Sequence, residues 1–342
     1  MTRHRSSRNS ADGALPHPFS DLPPIGMGCW AAGGAFRSGD VQLGYANTND
    51  RDSRAALEAA WDAGVRVFDT ASVYGAGHSE RLVGEVLGAR PDAVIVTKFG
   101  YAFDERTREM GGERLDPVAI RDTIDGSRRR LGRDRLDVVL LHVNELAEGA
   151  AVPVFDTLDA LRSEGAIECY GWSTDFPASV ERFGARDGFV AVQHAANVLL
   201  DAPSMDAAAR RHALAQMIRS PLAMGLLGGA YDASRTIAAD DVRNHSGGWN
   251  DWFQDRRAGP EHTRRIAAVR DLLTVGGRTL AQGALGWLLA RTPRAVPVPG
   301  ARNAAQATEN AGALAHGPLP APIMDEIERV LQRPPEGPPR AR

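Results

Sequence analysis

Of the 40 lysine and arginine residues in this chain of 342, one is lysine. It is Lys98, at the end of the short apolar run Val94-Ile95-Val96-Thr97. Upstream, Val65, Val67 and Phe68 lead into Asp69, and Tyr74 follows in a turn of small residues, Thr70-Ala71-Ser72-Val73-Tyr74-Gly75-Ala76-Gly77. Downstream, Val138 to Leu141 leads into His142. Together these four groups are suited to placing a proton on an oxygen. A phenol with a pKa near 10 is a slow acid at neutrality. A neighbouring ammonium favours the phenolate and lowers that pKa, while a carboxylate fixes the ammonium and partly offsets its effect. In this reading Tyr74 is a general acid, Lys98 its tuner and Asp69 the anchor of the lysine. His142 orients a carbonyl and helps to hold charge developing on its oxygen.

The lone lysine matters because either cation serves on a surface, whereas an ammonium in a tight pocket cannot be exchanged for a planar fork. A buried ion pair would account for Lys98 taken alone. Each of the others has an ordinary role too: a loop cap for Asp69, loop packing for Tyr74, a satisfied core histidine for His142. Four such groups, one per strand end or its loop, point to a site instead.

The elements that must position them are short apolar runs separated by helical patterns. The runs are Ile25 to Cys29, Val65 to Phe68, Val94 to Thr97, Val138 to Leu141, Ile167 to Trp172, Phe189 to Val192, Met217 to Ile218 and Val296 to Val298. Between them, Arg54 to Ala63, Ser79 to Leu87, Val118 to Leu131, Val154 to Arg162 and Leu280 to Ala290 carry helical periodicity. Continuous apolarity in the runs predicts a parallel sheet buried on both faces. Such a sheet closes either as an open doubly wound fold or as a (β/α)8 TIM barrel. A barrel projects functional side chains from many strand ends onto one face, and here the runs lead into Asp69, Lys98, His142, Ser173, Gln193 and Arg219. The expectation is an α/β chain folded as a single-domain (β/α)8 barrel. Gly26-Met27-Gly28-Cys29-Trp30-Ala31 matches a dinucleotide fingerprint by spacing, but Pro23 and Pro24 spoil the preceding strand and Ala32-Gly33-Gly34 cannot open the helix that must follow.

Hydrophobic residues at 43%, a net charge of -3 and a pI near 6.3 give no pull towards nucleic acid or acidic membranes. Two cysteines, Cys29 and Cys169, without C-x-x-C spacing, fit a reducing compartment. No apolar run approaches the length that spans a bilayer, and the expected location is the cytoplasm. Residues 1–20 are expected to form a disordered tail, 21–332 the barrel, and 333–342 a proline-rich tail. No metal-binding spacing occurs.

Taken together, Phe68-Asp69-Thr70-Ala71 with Tyr74-Gly75 and Ser79-Glu80, Thr97-Lys98-Phe99, Leu140-Leu141-His142, Gly171-Trp172-Ser173, Val192-Gln193, Ser220-Pro221-Leu222 with Gly225-Leu226-Leu227, and Pro299-Gly300 with Asn310 resemble the aldo-keto reductases in order and spacing. The resemblance covers roughly residues 22–332. It implies that Asp69, Tyr74, Lys98 and His142 are the catalytic tetrad, that NADPH/NADP+ supplies or accepts the hydride, and that the substrate is a small-molecule carbonyl compound. It also implies cofactor contacts. Ser173 and Gln193 match positions that grip the nicotinamide carboxamide, while the asparagine usual after the serine is Thr174 here. Arg219 stands where many members stack an aromatic on the nicotinamide, and a guanidinium plane can stack there as well. Ser220, Leu222 and Gly225 match a pyrophosphate wrap. Gly300 and Arg302 precede a helix whose start favours phosphate, with Arg302 on the 2'-phosphate. Gln306, Glu309 and Asn310 on that helix would face the adenine and its ribose.

Substrate choice is expected in three long loops, Gly33 to Asp50, Tyr101 to Leu115 and Gly228 to Gly259. The last carries Trp249, Trp252 and Phe253, which would either line a pocket or pin the loop. Trp30 is the expected wall. Two other functions stand beside reduction: a cofactor-binding regulatory subunit like the potassium-channel β subunits, which share the barrel, and a hydrolase acting through Asp69 and other carboxylates.

Overall fold

The computed structural model describes residues 15–231, 235–238, 241–244, 251–292 and 294–339. Eight parallel strands lie side by side in chain order: β1 Gly26–Gly28, β2 Val67–Asp69, β3 Val94–Phe99, β4 Leu136–Leu141, β5 Ile167–Ser173, β6 Phe189–Ala195, β7 Ala215–Arg219 and β8 Ala295–Pro297. The sheet closes on itself where Gly28 bridges Gly300 and the Gly28 N–H donates to the Pro299 carbonyl at 3.0 Å. Closure demands glycine at position 28, because a Cβ there would stand 2.8 Å from the Val298 carbonyl oxygen.

Helices return the chain between strands: α1 Asp50–Asp62, α2 His78–Leu87, α3 Pro117–Leu131, α4 Glu148–Ser163, α5 Pro177–Phe183, α6 Pro203–Arg211, α7 Pro260–Leu273 and α8 Leu280–Arg291, followed by α9 Ala304–Ala311, α10 Ala313–His316 and α11 Ala321–Leu331. Local chemistry sets their starts. Asn49 caps α1 by accepting from the Asp52 N–H, and Asp116 caps α3 by accepting from the Ala119 N–H with Pro117 in the first turn.

The strand period of two divides each run between two cores. Val67, Val96, Val138, Leu140, Ala191, Ala215, Met217, Val296 and Val298 fill the barrel interior. Phe68, Ile95, Val139, Leu141, Tyr170, Trp172 and Val192 pack in a second cluster with helix residues such as Leu57, Leu82, Ile124 and Phe155. Asp69, Lys98, His142, Gln193 and Arg219 share the parity of the interior set. They are therefore carried inward at the carboxyl ends of their strands, as the sequence predicts.

Two parts of the expected tails are packed. Phe19 is fully buried against interior residues that include Val67, Val96 and Ala215, so residues 15–20, expected in the disordered tail, join the barrel core. Near the other terminus, Glu336 accepts from the Ser204 N–H at 3.0 Å and the Ser204 hydroxyl at 2.8 Å, docking the proline-rich segment on the start of α6. Residues 1–14 and 340–342 lie outside the described residues. Among the described residues no helix is long and apolar enough to cross a membrane.

Candidate active site

Strand register builds the centre of the site. Lys98, fully buried, directs its ammonium to the Asp69 carboxylate at 2.9 Å, the Thr70 carbonyl at 2.7 Å and the Tyr74 hydroxyl at 3.3 Å. Those three partners use its three donors. Burial alone would lower the lysine's proton affinity, but the Asp69 carboxylate and the hydrogen bonds to Asp69 and Tyr74 outweigh it and hold the pKa above the ordinary value. The neighbouring side chain on β3 faces the other way: the Thr97 hydroxyl donates to Glu80 at 2.5 Å, and Glu80 also accepts from Arg130 at 2.7 Å.

The loop bearing Tyr74 is tied down from both ends. The Thr70 hydroxyl donates to Ser79, whose own hydroxyl donates to the Cys29 carbonyl, each at 2.8 Å. Gly75, at φ 59°, lies so close to the Gly33 backbone that a Cβ would fall 2.0 Å from the Gly33 oxygen. The His142 ring meets the Tyr74 ring edge-on, 5.7 Å between centroids, and Tyr101 approaches it similarly at 5.9 Å.

These groups open into a cleft of about 590 Å³. Asp69, Tyr74, His142, Trp30, Gln193, Arg219, Ser220, Leu222, Gly225, Gly300, Arg302, Gln306, Glu309 and Asn310 all line it, while Lys98 stands behind Asp69 and Tyr74. Ser173 and Thr174 are different. Both are fully buried away from the lining: the Ser173 hydroxyl donates to Gln193 Oε1 at 3.1 Å, and the Thr174 hydroxyl donates to the Asn144 carbonyl at 2.6 Å. Gln193 in turn donates from Nε2 to Asp69 at 2.8 Å.

Two of the long loops meet above the barrel. Strands Arg37–Ser38 and Val41–Gln42 from the first pair with Tyr101–Asp104 and Glu109–Glu113 from the second in one four-stranded sheet. Phe36, Leu43, Tyr101 and Met110 bring that cover to the cleft lining. Of the aromatics in the third loop, Trp252 and Phe253 are buried outside the lining, against His262 and Tyr231, so they pin the loop. Trp249 lies outside the described residues.

Sequence reasoning missed a polar knot on the third loop. Arg243 donates to both oxygens of Asp241, at 2.8 and 2.6 Å, and also to the Tyr231 hydroxyl. Its guanidinium lies 4.7 Å from the Tyr231 ring centre and 5.9 Å from that of Tyr45, on the first loop. Burial, opposed by Arg243, pushes the Tyr45 phenol up to about 12 and leaves it neutral. Asn144, two residues beyond His142, was missed as well, although it lines the cleft. By contrast Arg302 makes no hydrogen bond or ion pair through its guanidinium among the described residues, while its backbone N–H donates to Gln306 Oε1 at 3.0 Å.

The sequence profile of the Aldo/keto reductase family matches residues 24–332. The chain belongs to that family. An aldo-keto reductase of Schizosaccharomyces pombe whose name specifies NADP(+) is 25% identical over 304 residues, covering 86% of this chain and 84% of that protein. An NADH-specific methylglyoxal reductase of Escherichia coli is 27% identical over 336 residues, covering 91% and 96%. Among solved structures, a glycerol dehydrogenase from Gluconobacter oxydans superposes with a TM-score of 0.78 at 24% identity, covering 96% of this chain and 98% of that one, which shows the shared aldo-keto reductase barrel.

Proposed function

We propose that this aldo-keto reductase uses NADPH to reduce the carbonyl of an aldehyde, ketone or sugar to an alcohol, with Tyr74 as general acid. The observation that carries the reading is the buried Lys98 ammonium held between Asp69, the Thr70 carbonyl and the Tyr74 hydroxyl at the base of the cleft. When bound, the cofactor supplies the hydride. The Tyr74 hydroxyl gives its proton to the substrate oxygen, and the ammonium beside it eases the loss of that proton. His142 orients the carbonyl and steadies charge on its oxygen.

The residues present fit the cofactor. Arg219 offers a planar face, the Ser220 to Gly225 segment a backbone wrap, and Gly300 with Gln306 and Asn310 a mount for the adenosine end. Relatives of similar identity are named for NADP(+) and for NADH, so overall likeness does not select the cofactor. Arg302 does: a cleft-lining guanidinium without a protein partner suits a 2'-phosphate.

The test is oxidation of NADPH with a panel of aldehydes, ketones and open-chain sugars, in wild type and Tyr74→Phe. The variant keeps the ring, so it should fold and bind NADPH, while turnover falls by roughly 10²-fold or more. A folded Tyr74→Phe protein with normal turnover would remove the proposed acid. A wild type that binds NADPH but turns over no carbonyl would favour a regulatory subunit.

A further inference from the structure

Asn144 is 5% exposed and lines the cleft. Its Oδ1 accepts from the Asp175 N–H at 2.9 Å, and its backbone carbonyl accepts the Thr174 hydroxyl at 2.6 Å. Only the oxygen of an amide can meet a backbone N–H, so the Asp175 bond decides which corner of the planar side chain is NH2 and holds it at a set angle. Asp175 is itself anchored: one oxygen accepts from the Ala195 N–H at 2.9 Å and the other from Arg219. Asn144 thus belongs to the rigid frame that holds Arg219 at the cleft.

The other amide-recognising groups nearby are engaged with the protein. The Ser173 and Thr174 hydroxyls are buried on Gln193 and on the Asn144 backbone, and the Gln193 amide is tied at both ends, by Asp69 and Ser173. A carboxamide entering a dry cleft needs a donor for its oxygen, since an unmatched polar atom there weakens binding. We infer that Asn144 donates its side-chain N–H to the carboxamide oxygen of the nicotinamide ring. The inference rests on the nicotinamide-cofactor reading above.

The experiment compares two ligands by fluorescence or calorimetric titration: NADPH, and 2'-phospho-ADP-ribose, which keeps the adenosine and pyrophosphate but lacks nicotinamide. Two variants are used. Asn144→Ala removes the amide, and Asn144→Asp keeps an acceptor for the Asp175 N–H while removing the NH2. Both should weaken NADPH binding by about tenfold, the range of one hydrogen bond, and leave 2'-phospho-ADP-ribose within about twofold. Equal weakening of both ligands would show that Asn144 acts only through the frame, and no weakening of either would show no contact; each result overturns the assignment while the functional reading stands. If wild type binds neither ligand, that reading falls and this one with it.

Discussion

Lys98→Arg keeps the charge and so tests what the charge is for. The ammonium is enclosed by three oxygens inside the barrel, and a guanidinium there is too wide and would be drawn into a two-point pair with Asp69. The variant should bind NADPH yet turn over at least ~100-fold more slowly, with the alkaline limb of its pH-rate profile displaced upward as the phenol loses its cationic neighbour. Wild-type turnover with an unmoved profile would reduce Lys98 to a structural ion pair. The lysine itself stays out of the titration: its pKa is raised above 10.5, so the stabilisation from its charge is complete below that value and fades only as pH rises through the higher folded value. Arg302→Ala should cost about 1.5–3 kcal/mol, tenfold or more in NADPH affinity, and hardly change NADH; equal weakening of both would refute the phosphate contact. Asp69, Tyr74, Lys98 and His142 were legible because each ends, or lies just beyond, an apolar run whose parity decides where a side chain points. Ser173 and Thr174 were legible only as positions. Where their hydroxyls turn depends on Gln193 and on the Asn144 carbonyl, which come from other strands. Nothing about Val143-Asn144-Glu145 as a string separates a cleft-lining amide from an ordinary loop residue.

At the scale of elements, strands and main helices could be read because burial on both sheet faces writes runs of four to seven apolar residues. The cover over the cleft could not. Its strands are two to five residues long and come from loops far apart in the chain, so no alternation is long enough to register. The knot on the third loop was hidden for another reason: Asp241-Val242-Arg243 carries no special spacing in a chain this rich in arginine. Both partners are under 10% exposed, and removing one partner of such a pair costs about 3–5 kcal/mol. Arg243→Met should therefore release the loop from Met224 to Asn244, read as lost hydrogen-exchange protection there with the barrel strands unchanged. Protection equal to wild type would mean that apolar packing alone holds the loop. Burial raises the Asp241 pKa, but hydrogen bonds and charge from Arg243 carry it below the ordinary 3.8. The pair's contribution is then present above pH 3.8 and is lost as pH falls through the lower folded value.

The molecule as a whole is a closed cylinder, sealed at one seam by the Gly28 and Gly300 backbones and stoppered at its base by Phe19. The seam was within reach of the sequence only as a strand count; the stopper was not, since one phenylalanine in a polar, proline-bearing stretch resembles tail. The sealed interior holds the chain's single lysine, fully buried. The folded surface consequently offers no ε-amino nucleophile. Succinimidyl esters, imidates and aldehyde cross-linkers should modify the native protein at no more than its terminal amine, and resins that couple through lysine should fail to capture it. In denaturant one further adduct should form, at Lys98, and intact-mass spectrometry would count it. Two adducts on the native protein would mean that the barrel opens at Lys98 on the timescale of labelling, whereas one makes the second adduct a stoichiometric reporter of unfolding.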